Sequence, residues 1–130
     1  MRILVIDDDE VARELLSSTL RHNNHEVFEL ATAIDATRLI FEQEIDAVVV
    51  DVNLPDMNGD KLARILRQNS RGPTLGIVLV STLPDDELRH VGLLAQADGV
   101  LSKSNVRAQL ESAVTQACER RARPARAQLG

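Results

Sequence analysis

Carboxylates stand directly after two short apolar runs of this sequence. Asp7 and Asp8 follow residues 3–6, and Asp51 follows residues 47–50. Both runs are rich in Val, Ile and Leu and have no polar face, which is typical of strands buried on both sides. Ligands of open α/β sheets bind at the carboxyl ends of the strands. We therefore expect the three carboxylates to meet at that edge, with Asp51 as a candidate nucleophile that accepts a phosphoryl group.

Three carboxylates within a few ångströms repel one another and raise each other's pKa, and a bound cation relieves this repulsion. An all-oxygen ligand set completed by water suits Mg²⁺ better than Zn²⁺. No cluster of histidine and cysteine competes for a metal, because His22, His25 and His90 are scattered along the sequence. The sequence therefore predicts a magnesium site.

Two more apolar runs end beside side chains that would stabilise a phosphoryl group. Ser81 follows residues 76–80, and Lys103 closely follows residues 99–101. The ammonium of Lys103, together with Mg²⁺, would balance the charge on the transferring oxygens. The Ser81 hydroxyl would donate a hydrogen bond that exists only after phosphorylation, which would pull the following loop inward.

Helical spacing of apolar residues follows each strand-like run, so a strand–helix unit occurs five times. This alternation predicts one α/β domain with a parallel sheet and helices on both faces. The predicted strands are residues 3–6, 26–30, 47–50, 76–80 and 99–101. We assign residues 1–118 to this domain. Residues 119–130, rich in Arg, Ala and Pro, are expected to form a flexible tail or the start of a linker.

The composition excludes several classes of function. The net charge of −5 and the near absence of aromatic residues, with only Phe28 and Phe41, argue against a nucleic-acid binder. The single cysteine, Cys118, excludes an internal disulfide and favours a reducing compartment, and we expect it to pack inertly. No leader and no membrane-spanning run is evident, so we expect a cytoplasmic location and no membrane contact.

The sequence resembles the receiver domain of the two-component response-regulator family. The motifs that carry the resemblance are Ile3-Leu4-Val5-Ile6-Asp7-Asp8-Asp9, Asp51-Val52-Asn53-Leu54-Pro55-Asp56-Met57-Asn58-Gly59, Ser81 and Gly99-Val100-Leu101-Ser102-Lys103. It covers residues 2 to about 118 and implies a flavodoxin-like (βα)₅ fold, a doubly wound parallel sheet of five strands in the order 2-1-3-4-5.

The resemblance implies that Asp51 receives a phosphoryl group from a histidine kinase or a phosphotransfer protein, in a Mg²⁺-dependent reaction that Lys103 and Ser81 assist. The domain would catalyse only its own phosphorylation and dephosphorylation and would not be an enzyme acting on a separate substrate. It would signal through phosphorylation-dependent contacts with other proteins.

The resemblance also implies the metal ligands. Asp8 and Asp51 would bind Mg²⁺ directly, Asn53 through its backbone carbonyl, and Asp7 through a water molecule.

The implied output is protein docking by the face near the fourth helix, the fifth strand and the fifth helix. Its target would be a separate downstream protein or a C-terminal output domain that this chain does not contain. A phosphorylation-dependent homodimer through helices four and five is left open, and no direct contact of this chain with nucleic acid is expected.

Two positions depart from the family pattern. Val100 stands where the family usually has an aromatic residue that moves with the hydroxyl residue, and Ser104 stands where it usually has proline. Both keep open the alternative of a pseudo-receiver that binds partners without phosphorylation. An aspartate-nucleophile phosphohydrolase is disfavoured, because such enzymes need an acid/base aspartate where this chain has Asn53.

Overall fold

A computed structural model describes residues 1–69 and 72–129, with side chains described as far as Arg121. Strands and helices alternate along the chain as the apolar spacing predicts. The strands are β1 (Arg2–Ile6), β2 (Glu26–Leu30), β3 (Ala47–Asp51), β4 (Gly76–Ser81) and β5 (Gly99–Ser102). The helices are α1 (Glu10–His22), α2 (Ala36–Glu42), α3 (Gly59–Arg67), α4 (Asp85–Ala95) and α5 (Val106–Leu129), with short 3₁₀ turns at Gly72–Thr74 and Lys103–Asn105.

The strands form a five-stranded parallel sheet in the order β2-β1-β3-β4-β5. This confirms the predicted fold class and strand order. Every residue of the two strands β3 and β4 is buried, whereas β2 at one edge is only partly covered. The runs without a polar face are therefore those that helices cover on both sides.

Alternate residues of the inner strands point to opposite faces and build two apolar layers. Leu4, Val48 and Ile77 belong to the cluster that packs under α2, α3 and α4. Val5 and Val49 belong to the cluster under α1 and α5. With helices fixed on both faces, the polar loops at the carboxyl ends of the strands converge at one edge.

The start of α1 is fixed by its own sequence. The Asp9 carboxylate accepts a hydrogen bond from the backbone N–H of Val11 at 3.2 Å, which caps the helix. This cap sets the short loop between β1 and α1, and that loop carries Asp7 and Asp8.

α5 continues beyond the predicted domain limit at residue 118, with helical backbone through Leu129. Flexibility of residues 119–130 stays a prediction. Cys118 is partly buried against the α1 and α5 layer. Burial raises the pKa of its thiol to about 11, which agrees with an inert packing residue. No helix in the described part of the chain is both long and apolar enough to span a membrane.

A buried hydroxyl in α1 offers a stability prediction. Ser17 is fully buried, and its Oγ has no hydrogen-bond partner. An unpaired buried hydroxyl destabilises the fold, and alanine is the better helix former. We expect Ser17→Ala to raise the free energy of unfolding by about 1 kcal/mol, as measured by urea denaturation followed by circular dichroism.

Ser18→Ala is the control, because Ser18 is the neighbouring residue of the same helix but is exposed, and its hydroxyl makes only a local hydrogen bond to the Leu15 carbonyl at 3.3 Å. Both substitutions gain the same helix propensity, so the difference in stability between them reports the buried, unpaired hydroxyl of Ser17 against an exposed, paired one. An equal effect of the two substitutions would show that the Ser17 hydroxyl carries no burial cost.

Candidate functional site

The structure brings the predicted carboxylates together at the carboxyl edge of the sheet. Asp51 is the last residue of β3, and Asp7 directly follows the neighbouring strand β1. Oxygen atoms of Asp7, Asp8 and Asp51 lie within 4.8 Å of one another. The parallel pairing of β1 with β3 causes this convergence, because Asp7 and Asp51 stand at the carboxyl ends of two strands that end side by side.

Asp7 is the most firmly held of the three acids. It is fully buried, and its Oδ1 accepts a hydrogen bond from the backbone N–H of Asp9 at 3.0 Å. Its Oδ2 lies 2.9 Å from the Nζ of Lys103. Its backbone N–H donates to the carbonyl of Leu30 at 3.1 Å. Asp7 is therefore held by a main-chain hydrogen bond at Oδ1 and by an ion pair at Oδ2, an oxygen that accepts no hydrogen bond among the described residues.

Asp8 differs from Asp7 in exposure and in contacts. It is exposed, and no hydrogen bond or ion pair of its carboxylate is found among the described residues. This carboxylate can therefore turn toward a ligand without breaking a contact. Asp8 is thus the acid with a free carboxylate and Asp7 the acid held inside the protein, and the ligand roles of both residues stay predictions.

Lys103 supplies the positive charge in this cluster. Its Nζ lies 2.9 Å from Asp7 Oδ2 and 3.3 Å from Asp51 Oδ2. Burial lowers the pKa of Lys103, but the close contact of its ammonium with the Asp7 carboxylate and the charges of Asp51 and Asp7 outweigh burial, so the net shift is upward. The ammonium therefore stays charged and joins the two buried acids.

Asp51 carries a perturbed carboxyl group. Burial raises its pKa, and the charge of Asp7 adds to this shift, while the backbone N–H of Asn53 and the charge of Lys103 oppose it. The N–H of Asn53 donates to Asp51 Oδ1 at 3.2 Å. The net upward shift shows that a negative charge on Asp51 is incompletely compensated by the surrounding protein.

The loop between β3 and α3 folds tightly over Asp51. The N–H of Gly59 donates to the carbonyl of Val52 at 2.7 Å, and Asn53 and Asn58 pair as an isolated bridge. A Cβ added at Gly59 would lie 2.1 Å from the backbone oxygen of Asp51. Only glycine permits this close approach, so Gly59 sets the path of the loop.

Ser81 is the last residue of β4 and is fully buried. Its Oγ accepts a hydrogen bond from the backbone N–H of Leu83 at 3.0 Å, so it holds the start of the loop before α4. The hydroxyl hydrogen of Ser81 remains available to an acceptor. Ser81 is thus linked directly to the loop between β4 and α4.

The two residues that depart from the family pattern lie beside these groups. Val100 packs against α4, where a Cβ added at Gly92 would lie 2.4 Å from Val100 Cγ1. Ser104 lies in the 3₁₀ turn that carries Lys103, and its N–H donates to Ser102 Oγ at 3.3 Å. The described peptide bonds are all trans, including the bond after Lys103.

One charged neighbour of the cluster was missed by the sequence analysis. Arg13 of α1 donates from Nη1 to the carbonyl of Asp7 at 2.8 Å, and its Nε lies 3.5 Å from Glu29 Oε1. Charged residues at helix and edge-strand positions usually face solvent, so this contact has no signal in the residue pattern.

The donor set fits a divalent cation with a preference for oxygen. Three carboxylates converge, one of them exposed, and one ammonium faces them. The raised pKa of Asp51, caused chiefly by burial with a contribution from Asp7, indicates that further positive charge would be stabilising. These observations suit Mg²⁺, whose partial water shell needs only a few carboxylates.

Comparisons with known proteins agree with this geometry. The family model for the response regulator receiver domain matches residues 3–115. The transcriptional regulatory protein GltR of Pseudomonas aeruginosa is 33% identical over 101 residues, which cover 78% of this chain and 42% of GltR. The response regulator MprA of a Mycobacterium species is 38% identical over 103 residues, which cover 79% of this chain and 44% of MprA.

A solved structure of similar fold is the CheY-like response regulator receiver domain protein of Methanospirillum hungatei. It is 26% identical, with a TM-score of 0.80 and coverage of 95% of this chain and 97% of that one. This chain spans less than half the length of the two curated relatives named above. The matched family model, the sheet order and the acidic cluster lead to one conclusion: the chain belongs to the response regulator receiver domain family of two-component systems.

Proposed function

We propose that Asp51 accepts a phosphoryl group from a phosphohistidine of a histidine kinase or a phosphotransfer protein. The observation that carries this proposal is the position of Asp51. It ends a central strand with its Oδ2 3.3 Å from the Lys103 ammonium, and its carboxylate lies beside those of Asp7 and Asp8. A carboxylate with a raised pKa is also the more basic nucleophile.

In the proposed step, a carboxylate oxygen of Asp51 attacks phosphorus and an O–P bond forms. The P–N bond to the donor histidine breaks, and the histidine nitrogen takes a proton from solvent. The Lys103 ammonium, which contacts both buried acids, balances charge on the phosphoryl oxygens. The same groups would serve the later attack of water that removes the phosphoryl group.

The proposed ligands for Mg²⁺ are the carboxylates of Asp8 and Asp51 and the backbone carbonyl of Asn53, with Asp7 acting through water. When bound, Mg²⁺ supplies positive charge to the oxygens of the transferring group. Asp7 is held by Lys103 and by the Asp9 backbone, which supports its indirect role.

The proposed output is a change at the loop that follows β4. The Ser81 hydroxyl would donate to a phosphoryl oxygen on Asp51 and draw with it the loop whose Leu83 N–H it already holds. The changed face would dock on a downstream protein or on an output domain, because the curated relatives include a transcriptional regulatory protein more than twice as long as the matched segment. A homodimer through α4 and α5 stays a further candidate for this face.

The alternative is a pseudo-receiver that docks without phosphorylation. The observation that favours it is the packing of Val100 against α4 opposite Gly92, which places a short side chain where the family usually has an aromatic residue. Mg²⁺ binding and phosphorylation separate the two proposals.

The first test is the intact mass of the chain after incubation with acetyl phosphate, with Mg²⁺ or with a chelator. The chain has no Trp, so mass is a better readout than intrinsic fluorescence. We expect one phosphoryl group to be gained with Mg²⁺ and none with the chelator. The group should be lost in hydroxylamine, which cleaves acyl phosphates. No gain under either condition would reject the phosphoacceptor proposal in favour of the pseudo-receiver.

A further inference from the structure

An arginine lies beside the acidic cluster without pairing with it. Arg13 of α1 is only 20% exposed, and its Nη1 donates to the main-chain carbonyl of Asp7 at 2.8 Å. Among the described residues it forms no ion pair with Asp7, Asp8 or Asp51. A guanidinium that contacts the main chain of Asp7 would ordinarily be drawn to the carboxylates of the same cluster.

Glu29 accounts for this arrangement. It lies on the edge strand β2 and is 28% exposed. Its Oε1 lies 3.5 Å from Arg13 Nε, and its Oε2 accepts a hydrogen bond from Arg21 Nη2 at 3.0 Å. Arg21 also donates to the carbonyl of Val27, which ties Glu29 to the main chain of its own strand. One carboxylate oxygen of Glu29 is therefore fixed by Arg21, and the other lies beside Arg13.

The position of the Arg13 guanidinium affects the charge of the acidic cluster. Asp8 is the exposed acid, with no partner among the described residues, and its side chain is the one that a cation would recruit. If the Arg13 guanidinium paired with Asp8, it would neutralise the charge that attracts a metal and occupy its oxygens. A guanidinium fixed on the Asp7 carbonyl instead anchors the loop and leaves the acids unpaired.

We propose that Glu29 is a positioning residue that keeps Arg13 on the Asp7 carbonyl and so keeps the acidic cluster open to a divalent cation. This inference rests on the proposed Mg²⁺ site. It assigns a role in metal affinity to a residue of the sheet edge that contributes no ligand.

The test is a double-mutant cycle of Mg²⁺ affinity, measured by NMR titration of the backbone amides in wild type, Glu29→Gln, Arg13→Gln and the double variant. We expect Glu29→Gln to weaken Mg²⁺ binding about tenfold, the lower end of the cost of losing an outer-shell partner of a metal site. In the Arg13→Gln background the same change should have little effect, because no guanidinium is released. Equal weakening in both backgrounds would overturn the proposal, since Glu29 would then act only through its own charge.

Glu26→Gln is the matched control. Glu26 lies on the same strand as Glu29, and its substitution by glutamine removes the same charge. The ion pair of Glu26 with Arg2 is exposed, at the opposite end of β2 from the acidic cluster. We expect less than about a twofold change in Mg²⁺ affinity, as befits a surface ion pair. An effect as large as that of Glu29→Gln would again point to general charge loss.

A readout without metal checks the contact itself. The ¹³C shift of the Asp7 carbonyl in metal-free protein should move in Glu29→Gln and stay unchanged in Glu26→Gln. If wild type binds Mg²⁺ and Glu29→Gln binds it equally well, only this inference fails. If wild type does not bind Mg²⁺, the metal part of the proposed function fails together with it.

Discussion

Replacement of Asp51 by asparagine should abolish phosphorylation of the chain by acetyl phosphate. An amide oxygen is a poor nucleophile, and no other carboxylate of the cluster ends a central strand against the Lys103 ammonium in the same way. The side chain of Asp7 is fully buried, whereas that of Asp51 is 6% exposed. Asp8 is exposed and has no contact with Lys103 among the described residues. We expect the intact mass of Asp51→Asn to stay unchanged under conditions in which wild type gains one phosphoryl group.

Asp56→Asn is the control for this result. Asp56 lies five positions further along the same loop, is exposed, and accepts a hydrogen bond from the backbone N–H of Ala33 at 3.1 Å. An asparagine side chain can still accept that bond, so this variant should gain one phosphoryl group as wild type does. A gain in Asp51→Asn would assign the acceptor to another residue.

The same substitution should also stabilise the fold. Burial, with a contribution from Asp7, raises the pKa of Asp51. A carboxyl group whose pKa is raised in the folded protein favours unfolding once it ionises, so it costs stability above the raised pKa and not below the ordinary one. Asp51→Asn should therefore be more stable than wild type at about pH 7, and the difference should shrink as the pH falls to about 4. Urea denaturation followed by circular dichroism at both pH values measures this difference.

The sequence predicted the sheet well because its inner strands are simple. Residues 47–50 and 76–80 are apolar throughout, and such runs have one stable place in an α/β domain, between two helical layers. The convergence of Asp7, Asp8 and Asp51 then follows from parallel pairing alone. The order of the strands could be predicted only from the family resemblance, because alternation of strand and helix along the sequence permits more than one strand order.

Charged contacts between distant elements could not be predicted in the same way. Arg13 and Glu29 lie on different elements, and only the packed fold shows that they meet beside the acids. Arg121 is a second example, because the composition of residues 119–130 predicted a flexible tail or the start of a linker. In the structure its Nε lies 2.6 Å from a buried carboxylate oxygen of Asp98. Long side chains reach across several ångströms, so their partners depend on side-chain geometry and not on residue spacing.

Asp98 joins three elements at the edge of the sheet opposite to Asp51. Its side chain is fully buried, and its Oδ2 lies 2.9 Å from Arg67 Nη2 of α3. The same oxygen accepts a hydrogen bond from the N–H of Ile77 in β4 at 2.8 Å, while Oδ1 pairs with Arg121 of α5. Burial lowers the pKa of Arg67, and the charge of Asp98 opposes this shift. The carboxylate therefore compensates a guanidinium that is itself only 8% exposed.

Replacement of Asp98 by alanine should lower the free energy of unfolding by about 3 kcal/mol, because it leaves the buried charge of Arg67 without its partner. For a chain of this length we expect the melting temperature, followed by circular dichroism, to fall by about 10 °C.

Asp86→Ala is the control. It removes a carboxylate that is 95% exposed and paired with Arg89 in α4, and it should change the free energy of unfolding by less than about 0.5 kcal/mol. Because Asp98 lies at the far edge, Asp98→Ala should still gain one phosphoryl group well below its melting temperature. Equal destabilisation by the two substitutions would show that the network of Asp98, Arg67 and Arg121 is no more than a surface ion pair.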